Sequence, residues 1–104
     1  MKDPLPIRFT KAQLLLSKWI RESGFSNSLE KEFPPYFVDI FIGELNLGIE
    51  VDSRFHISKK KDIQRDLFIR EKYNVPILHI DNKSIIPINK EKIIHSILAH
   101  PEIC

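Results

Sequence analysis

A single cysteine, Cys104, stands among 104 residues, so no disulfide forms within the chain and no Cys-x-x-Cys pair offers a zinc or thiol-redox centre. Only three glycines are present, and they build no Gly-rich loop of the kind that cradles nucleotide phosphates. A serine-nucleophile motif is also missing, which argues against acyl transfer. No apolar run approaches the ~20 residues of a membrane-spanning helix, and Met1-Lys2-Asp3-Pro4-Leu5-Pro6 lacks the apolar core of a signal peptide. A cytoplasmic protein with no membrane partner is therefore expected. Neither sign of charge dominates: the formal net charge is +2, too little by itself to indicate nucleic acid. Internal repeats, low-complexity tracts and dividing linkers are absent, so residues 1–104 are expected to form one domain.

What the chain does contain is acidic residues inside apolar stretches. Asp39 follows Pro34-Pro35-Tyr36-Phe37-Val38, and Glu50 and Asp52 lie within Leu47-Gly48-Ile49-Glu50-Val51-Asp52, with His56 just beyond. Strand side chains alternate, so Glu50 and Asp52 share one face while Leu45, Leu47, Ile49 and Val51 take the other. By the same parity Asp39 shares a face with Phe37 and Phe41. Carboxylates gathered this way either repel one another or share a cation. Magnesium favours one or two carboxylates, completed by water and phosphate oxygens. Lys59, Lys60 and Lys61 are consecutive, with Arg54, Arg65, Arg70 and Lys72 nearby, and an acidic metal site acting on a polyanion needs such cations beside it.

Thr10-Lys11-Ala12-Gln13 has capping-box spacing, and Leu15, Leu16, Trp19 and Ile20 recur at helical intervals, which predicts a first helix from Lys11 to Ser23 ending near Gly24. Ser28 to Phe33 reads as a strand, Pro34-Pro35 forbids a helix, and Phe37 to Ile42 reads as a second strand. A turn at Gly43-Glu44 and a strand from Leu45 to Asp52 make a hairpin that brings Asp39 across from the later carboxylates. Lys60 to Tyr73 is predicted helical on the spacing of Ile63, Leu67, Phe68 and Ile69, with Asp62 in its first turn. Val75 to Ile80 is expected as a strand in the same sheet, parallel to the third after a crossover. A loop over Asn82 to Pro87 and a helix from Asn89 to His100, apolar at Ile93, Ile94, Ile97 and Leu98, complete an α/β order of α-β-β-β-α-β-α.

From Thr10 to Ile80 these residues resemble the PD-(D/E)XK nuclease superfamily, in its branch of small, very-short-patch-repair-like endonucleases. The resemblance rests on the helix opened by Thr10-Lys11-Ala12-Gln13, Pro35-Tyr36-Phe37-Val38-Asp39, Ile49-Glu50-Val51-Asp52-Ser53, His56, Asp62 with Arg65-Asp66, and Leu78-His79-Ile80. It implies a restriction-endonuclease-like three-layer fold around a four-stranded mixed sheet. Asp52 stands where the superfamily usually has lysine, as is typical of this branch, and points to histidine-assisted chemistry. Ser53 replaces the branch's glycine, and Gln13 takes the place of a first-helix glutamate that reaches the site. Gln13 reads more simply as a capping-box residue.

The function expected from this pattern is a metal-dependent endonuclease hydrolysing a phosphodiester bond. Asp39, Glu50 and Asp52 are the candidate metal ligands, with the choice between Glu50 and Asp52 left open, and Mg2+ or Mn2+ is the implied ion. His56 would act as general base or acid, and Asp62 would orient His56 or a water. Lys59, Lys60, Lys61 and Arg65 are the candidate nucleic-acid-binding residues, Arg65 being equally well explained by a salt bridge to Asp62 or Asp66. DNA is expected ahead of RNA, acting alone, as a homodimer or within a larger protein complex. The alternatives are a catalytically inactive nucleic-acid-binding or regulatory protein of the same fold, including an RNA-binding module like the RAP domain, and a protein-interaction module docking through its last helix. His79, His95 and His100 have no spacing that suggests zinc and receive no role.

Overall fold

The structure is a computed structural model that describes residues 9–52 and 59–100. Four strands, β1 (Ser28–Phe33), β2 (Tyr36–Ile42), β3 (Leu47–Asp52) and β4 (Ile77–Asp81), form one sheet in the order β1-β2-β3-β4. The first two pairings are antiparallel and β3 pairs with β4 in parallel. The helices are α1 (Lys11–Glu22), α2 (Lys59–Tyr73) and α3 (Lys90–Leu98), so the element order is the expected one. No described helix is long and apolar enough to cross a membrane.

Two apolar clusters explain the three layers. On one face of the sheet, Leu16, Trp19 and Ile20 of α1 and Ile93 and Ile97 of α3 pack with Ile40, Ile42, Leu47, Ile49 and Ile80. On the other, Ile69 of α2 packs with Phe33, Val38 and Val75, joined by Phe41, Phe68, Tyr73 and Ile77. Burial on two faces is why β2 and β3 carry so many apolar residues, and why any acidic side chain among them has to find a partner.

Gly48 lies in the second layer of contacts. A Cβ there would stand 2.8 Å from Ile77 Cδ1 and 3.0 Å from Val38 Cγ1. Gly48→Ala is therefore expected to destabilise the protein by about 1–3 kcal/mol through overpacking, measured as a lowered Tm.

Several local features differ from the sequence reading. The β2–β3 turn is a short 3-10 segment, Gly43–Leu45, closed by Asn46 in the left-handed region at φ 51°, a conformation asparagine tolerates. Two further 3-10 turns, Asn82–Ser84 and Pro87–Asn89, occupy the expected loop before α3. Ile69 is the buried anchor of α2, whereas Ile63 and Leu67 are each 54% exposed, so the expected apolar stripe does not face the sheet. Leu98 likewise lies largely exposed on α3.

The alternation of β2 breaks at Asp39. Val38 and Phe41 both pack on the α2 side although their offset in sequence is odd, while Ile40 and Ile42 face α1 and α3. The neighbouring strand breaks at the same level: Leu29 joins the α1 side and Phe33 the α2 side, with Glu30 between them at φ 50°. Parity therefore fails to place Asp39 with Phe37 and Phe41. Phe37 is largely exposed, whereas Phe41 belongs to the α2-side cluster.

Candidate functional site

The β2–β3 ladder pairs Ile42 with Leu47, Phe41 with Gly48 and Ile40 with Ile49. Beyond Ile40 the two strands are joined through side chains. The Asp39 N–H donates to Glu50 Oε2 at 3.0 Å, and the Val51 N–H donates to Asp39 Oδ2 at 2.8 Å. Each carboxylate thus occupies the place of a ladder carbonyl, and satisfies a backbone donor that the diverging strands leave behind. The matching acceptor, Asp39 O, receives Gln13 Nε2 at 2.8 Å.

Gln13 is placed by the first turn of α1. Its backbone N–H donates to Thr10 Oγ1 at 3.1 Å, which is the expected helix cap. Its side chain does not close a capping box; it turns inward, where it also donates to Glu30 Oε2 at 3.3 Å. A carbonyl and a carboxylate are both acceptors, and an amide can donate to both, whereas an ionised glutamate at this position has no proton to give either. Gln13 is thus fitted to its surroundings.

Burial raises the pKa of Asp39, opposed by the Val51 hydrogen bond, with the charge of Glu30 adding to the rise. Glu50, 9% exposed, is pushed up to about 7 by burial and then by the charge of Asp39, while Arg65 and the Asp39 N–H pull the other way. The two carboxyls therefore resist being charged together, the condition under which a shared cation helps most.

One cation is already there. Arg65 Nη1 lies 3.4 Å from Glu50 Oε1, Arg65 Nε is 3.3 Å from Asp66 Oδ1, and Arg65 Nη2 is 3.9 Å from Asp62 Oδ1. Asp52 turns toward His79, whose Nδ1 lies 3.2 Å from both Asp52 oxygens. The other ring nitrogen, His79 Nε2, is 2.6 Å from Asp66 Oδ2. The hydrogen bond to Asp66 leads the causes that raise the His79 pKa to about 9, so the ring is a cation at neutral pH.

The fold is that of a known endonuclease domain. The catalytic domain of the homing endonuclease I-Bth0305I superposes with a TM-score of 0.63 at 18% identity, covering 89% of this chain and 99% of that domain. No protein-family model and no curated protein matches the sequence.

Of the residues singled out in the sequence, Asp39, Glu50 and Arg65 come together at the fork between β2 and β3. Asp52 lies on the same side of β3 but is held by His79, and Asp62 stands beside Arg65 in the first turn of α2. Lys60 and Lys61 are exposed on that turn. His56 lies outside the described residues, as does the side chain of Lys59. His79, which receives no role from the sequence, links β4 to both β3 and α2. Its signal was available in the register: once β4 runs parallel to β3, His79 falls opposite Glu50, and it is a polar residue between Leu78 and Ile80. Asp66 and Asp62, the salt-bridge partners the sequence offers Arg65, both stand beside it, at 3.3 and 3.9 Å, their offset of four placing them on one face of α2.

Among the described residues no group of three or more His, Cys, Asp or Glu is arranged to hold a metal ion. The Asp39–Glu50 pair meets a smaller demand. Two hard, mutually repelling carboxylates, one buried and one partly buried, suit magnesium, which keeps several waters and takes its other oxygens from phosphate.

Proposed function

We propose that this protein is a metal-dependent DNA endonuclease of the PD-(D/E)XK type, hydrolysing a phosphodiester bond at the fork between β2 and β3. The observation that carries this reading is the pairing of partly buried Asp39 with buried Glu50, each member tied to the opposite strand's backbone and each raised in pKa. The likeness of fold to an endonuclease catalytic domain supports it. Magnesium or manganese, when bound by Asp39 and Glu50, supplies positive charge at the scissile phosphate and acidity to a water. The protein's part is orientation. The Asp39 and Val51 amides limit rotation of the two carboxylates, so little reorganisation is required as charge develops.

Arg65 is near enough to Glu50 to accompany it and offers a fork of donors to a phosphate oxygen. His56 is assigned proton transfer to or from the reacting oxygens. Lys59, Lys60 and Lys61, with Arg65, hold flanking phosphates and position the strand without reading its bases. Of the two carboxylates between which the sequence left the choice open, we assign Glu50 to the metal and Asp52 to His79, a reading supported by the contact of His79 Nδ1 with both Asp52 oxygens.

The test is incubation of the purified protein with supercoiled, linear, single-stranded and branched DNA, and with RNA, in magnesium, manganese or chelator. Metal-dependent nicking or cutting of DNA is expected, weakening steeply with added salt as the lysines are screened. Intact substrates throughout, together with a Tm indifferent to magnesium, would replace catalysis by a binding role.

A further inference from the structure

Five side chains of alternating charge run from β3 through α2 to β4 and back: Glu50, Arg65, Asp66, His79 and Asp52. Every link is a direct contact. Arg65 Nη1 meets Glu50 Oε1 at 3.4 Å, Arg65 Nε meets Asp66 Oδ1 at 3.3 Å, Asp66 Oδ2 meets His79 Nε2 at 2.6 Å, and His79 Nδ1 meets both Asp52 oxygens at 3.2 Å. The path starts and finishes on the same face of one strand, two residues apart, so it forms a closed tie between α2 and the parallel pair β3–β4.

Asp66 is the divided member of this path. Its two oxygens serve two different cations, Oδ1 for Arg65 and Oδ2 for His79, so rotation of the carboxylate moves both contacts. Arg65 has a competing partner in Asp62, 3.9 Å from Nη2. Asp66 is held from its far side by an imidazole whose other nitrogen lies against Asp52, so the position of His79 bears on how Arg65 is shared between Asp66 and Glu50.

We propose that His79 is a positioning residue: by holding Asp52 and Asp66 with its two ring nitrogens, it aims the Arg65 guanidinium at Glu50 and so sets the geometry of the carboxylate pair. The catalytic consequence rests on the endonuclease reading above. The coupling between Arg65 and Glu50 does not. Groups that orient the residues around a metal-binding pair commonly alter activity without touching substrate.

The experiment has two arms. In the first, Tm is measured for Glu50→Gln, Arg65→Met and their double variant, once with His79 present and once in His79→Leu. The two substitutions are expected to be non-additive with His79 and additive without it. His79→Gln, which retains a donor, replaces His79→Leu in the cycle if the latter does not fold. In the second arm, cleavage by His79→Leu is expected to fall at least tenfold in kcat with KM for DNA within threefold. His79→Arg, with donors for two carboxylates, is expected to recover most of the rate. Unchanged non-additivity in the His79 variants, or a loss confined to Tm with kcat intact, overturns the proposal. Failure of the endonuclease reading looks different: the protein with His79 is inactive on every substrate while the Tm cycle still gives its result.

Discussion

Asp39→Asn is expected to abolish cleavage while making the protein more stable. The asparagine carbonyl oxygen can accept the Val51 N–H now taken by Asp39 Oδ2, and the backbone bond from Asp39 N–H to Glu50 is untouched by the change. What disappears is a partly buried negative charge beside a second one. Its raised pKa means that ionisation works against the fold at neutral pH, so removing the charge should raise Tm by a few degrees. Cleavage should fall about 10³-fold or more, equivalent to ~4 kcal/mol of transition-state stabilisation, because the neutral amide is a poor ligand for a hard cation. DNA affinity should persist or increase as a repulsive charge is lost. A carboxylate pair kept for activity at the expense of stability gives this opposed response. Loss of stability with cutting unchanged would make Asp39 a structural residue, a nucleic-acid-binding protein would keep its affinity without ever cutting, and an interaction module would respond to neither substrate nor ion.

The parts of this molecule that follow local rules were legible before any coordinates. Thr10 announces α1, Pro34-Pro35 separates β1 from β2, and the apolar alternation of Leu47, Ile49 and Val51 turns Glu50 and Asp52 to one side; the structure has all three features. The errors arise where a side chain replaces a regular backbone interaction. Gln13 carries the spacing of a capping box, yet its amide is drawn inward by a strand carbonyl twenty-six residues away in sequence, which no local pattern encodes. Parity fails across Asp39 because β1 and β2 shift phase together at Glu30 and Asp39, and a left-handed glutamate has no sequence signature. His79 was overlooked because its partners lie thirteen and twenty-seven residues away, on two other elements. Only the parallel register makes that meeting visible. Ile63 and Leu67 misled in the opposite direction, since helical spacing records which residues share a face and is silent on whether the sheet reaches it.

Stability is expected to decline as pH rises from about 5 to 9, by an amount large enough to shift Tm by on the order of 10 °C. Glu50 is the first cause. Its pKa is raised from 4.5 to about 7, so between those values the folded protein keeps a proton that the unfolded chain has released, and stability falls with rising pH. His79 continues the trend in the next window. With its pKa raised from 6.5 to about 9, its contribution is fully present below 6.5 and is lost as pH rises through 9. Asp39, raised by burial, adds to the decline on the acidic side. Glu22 acts oppositely, since its lowered pKa adds stability above its ordinary value, but it is an exposed partner of Lys90 and its effect is screened. Each pKa unit is worth ~1.4 kcal/mol, which gives about 3–4 kcal/mol for Glu50 and, discounted for partial exposure, ~1–2 kcal/mol for His79. Magnesium should reverse the lower part of the profile, because it binds the ionised carboxylates: its stabilisation is expected to be small at pH 5 and to grow through pH 7. Thermal melts from pH 5 to 9.5, with chelator and with magnesium, measure both effects, and His79→Gln should flatten the profile above pH 6.5 alone. A Tm that rises with pH across this range would show that Glu50 is charged at little cost, removing the electrostatic reason for a cation between Asp39 and Glu50.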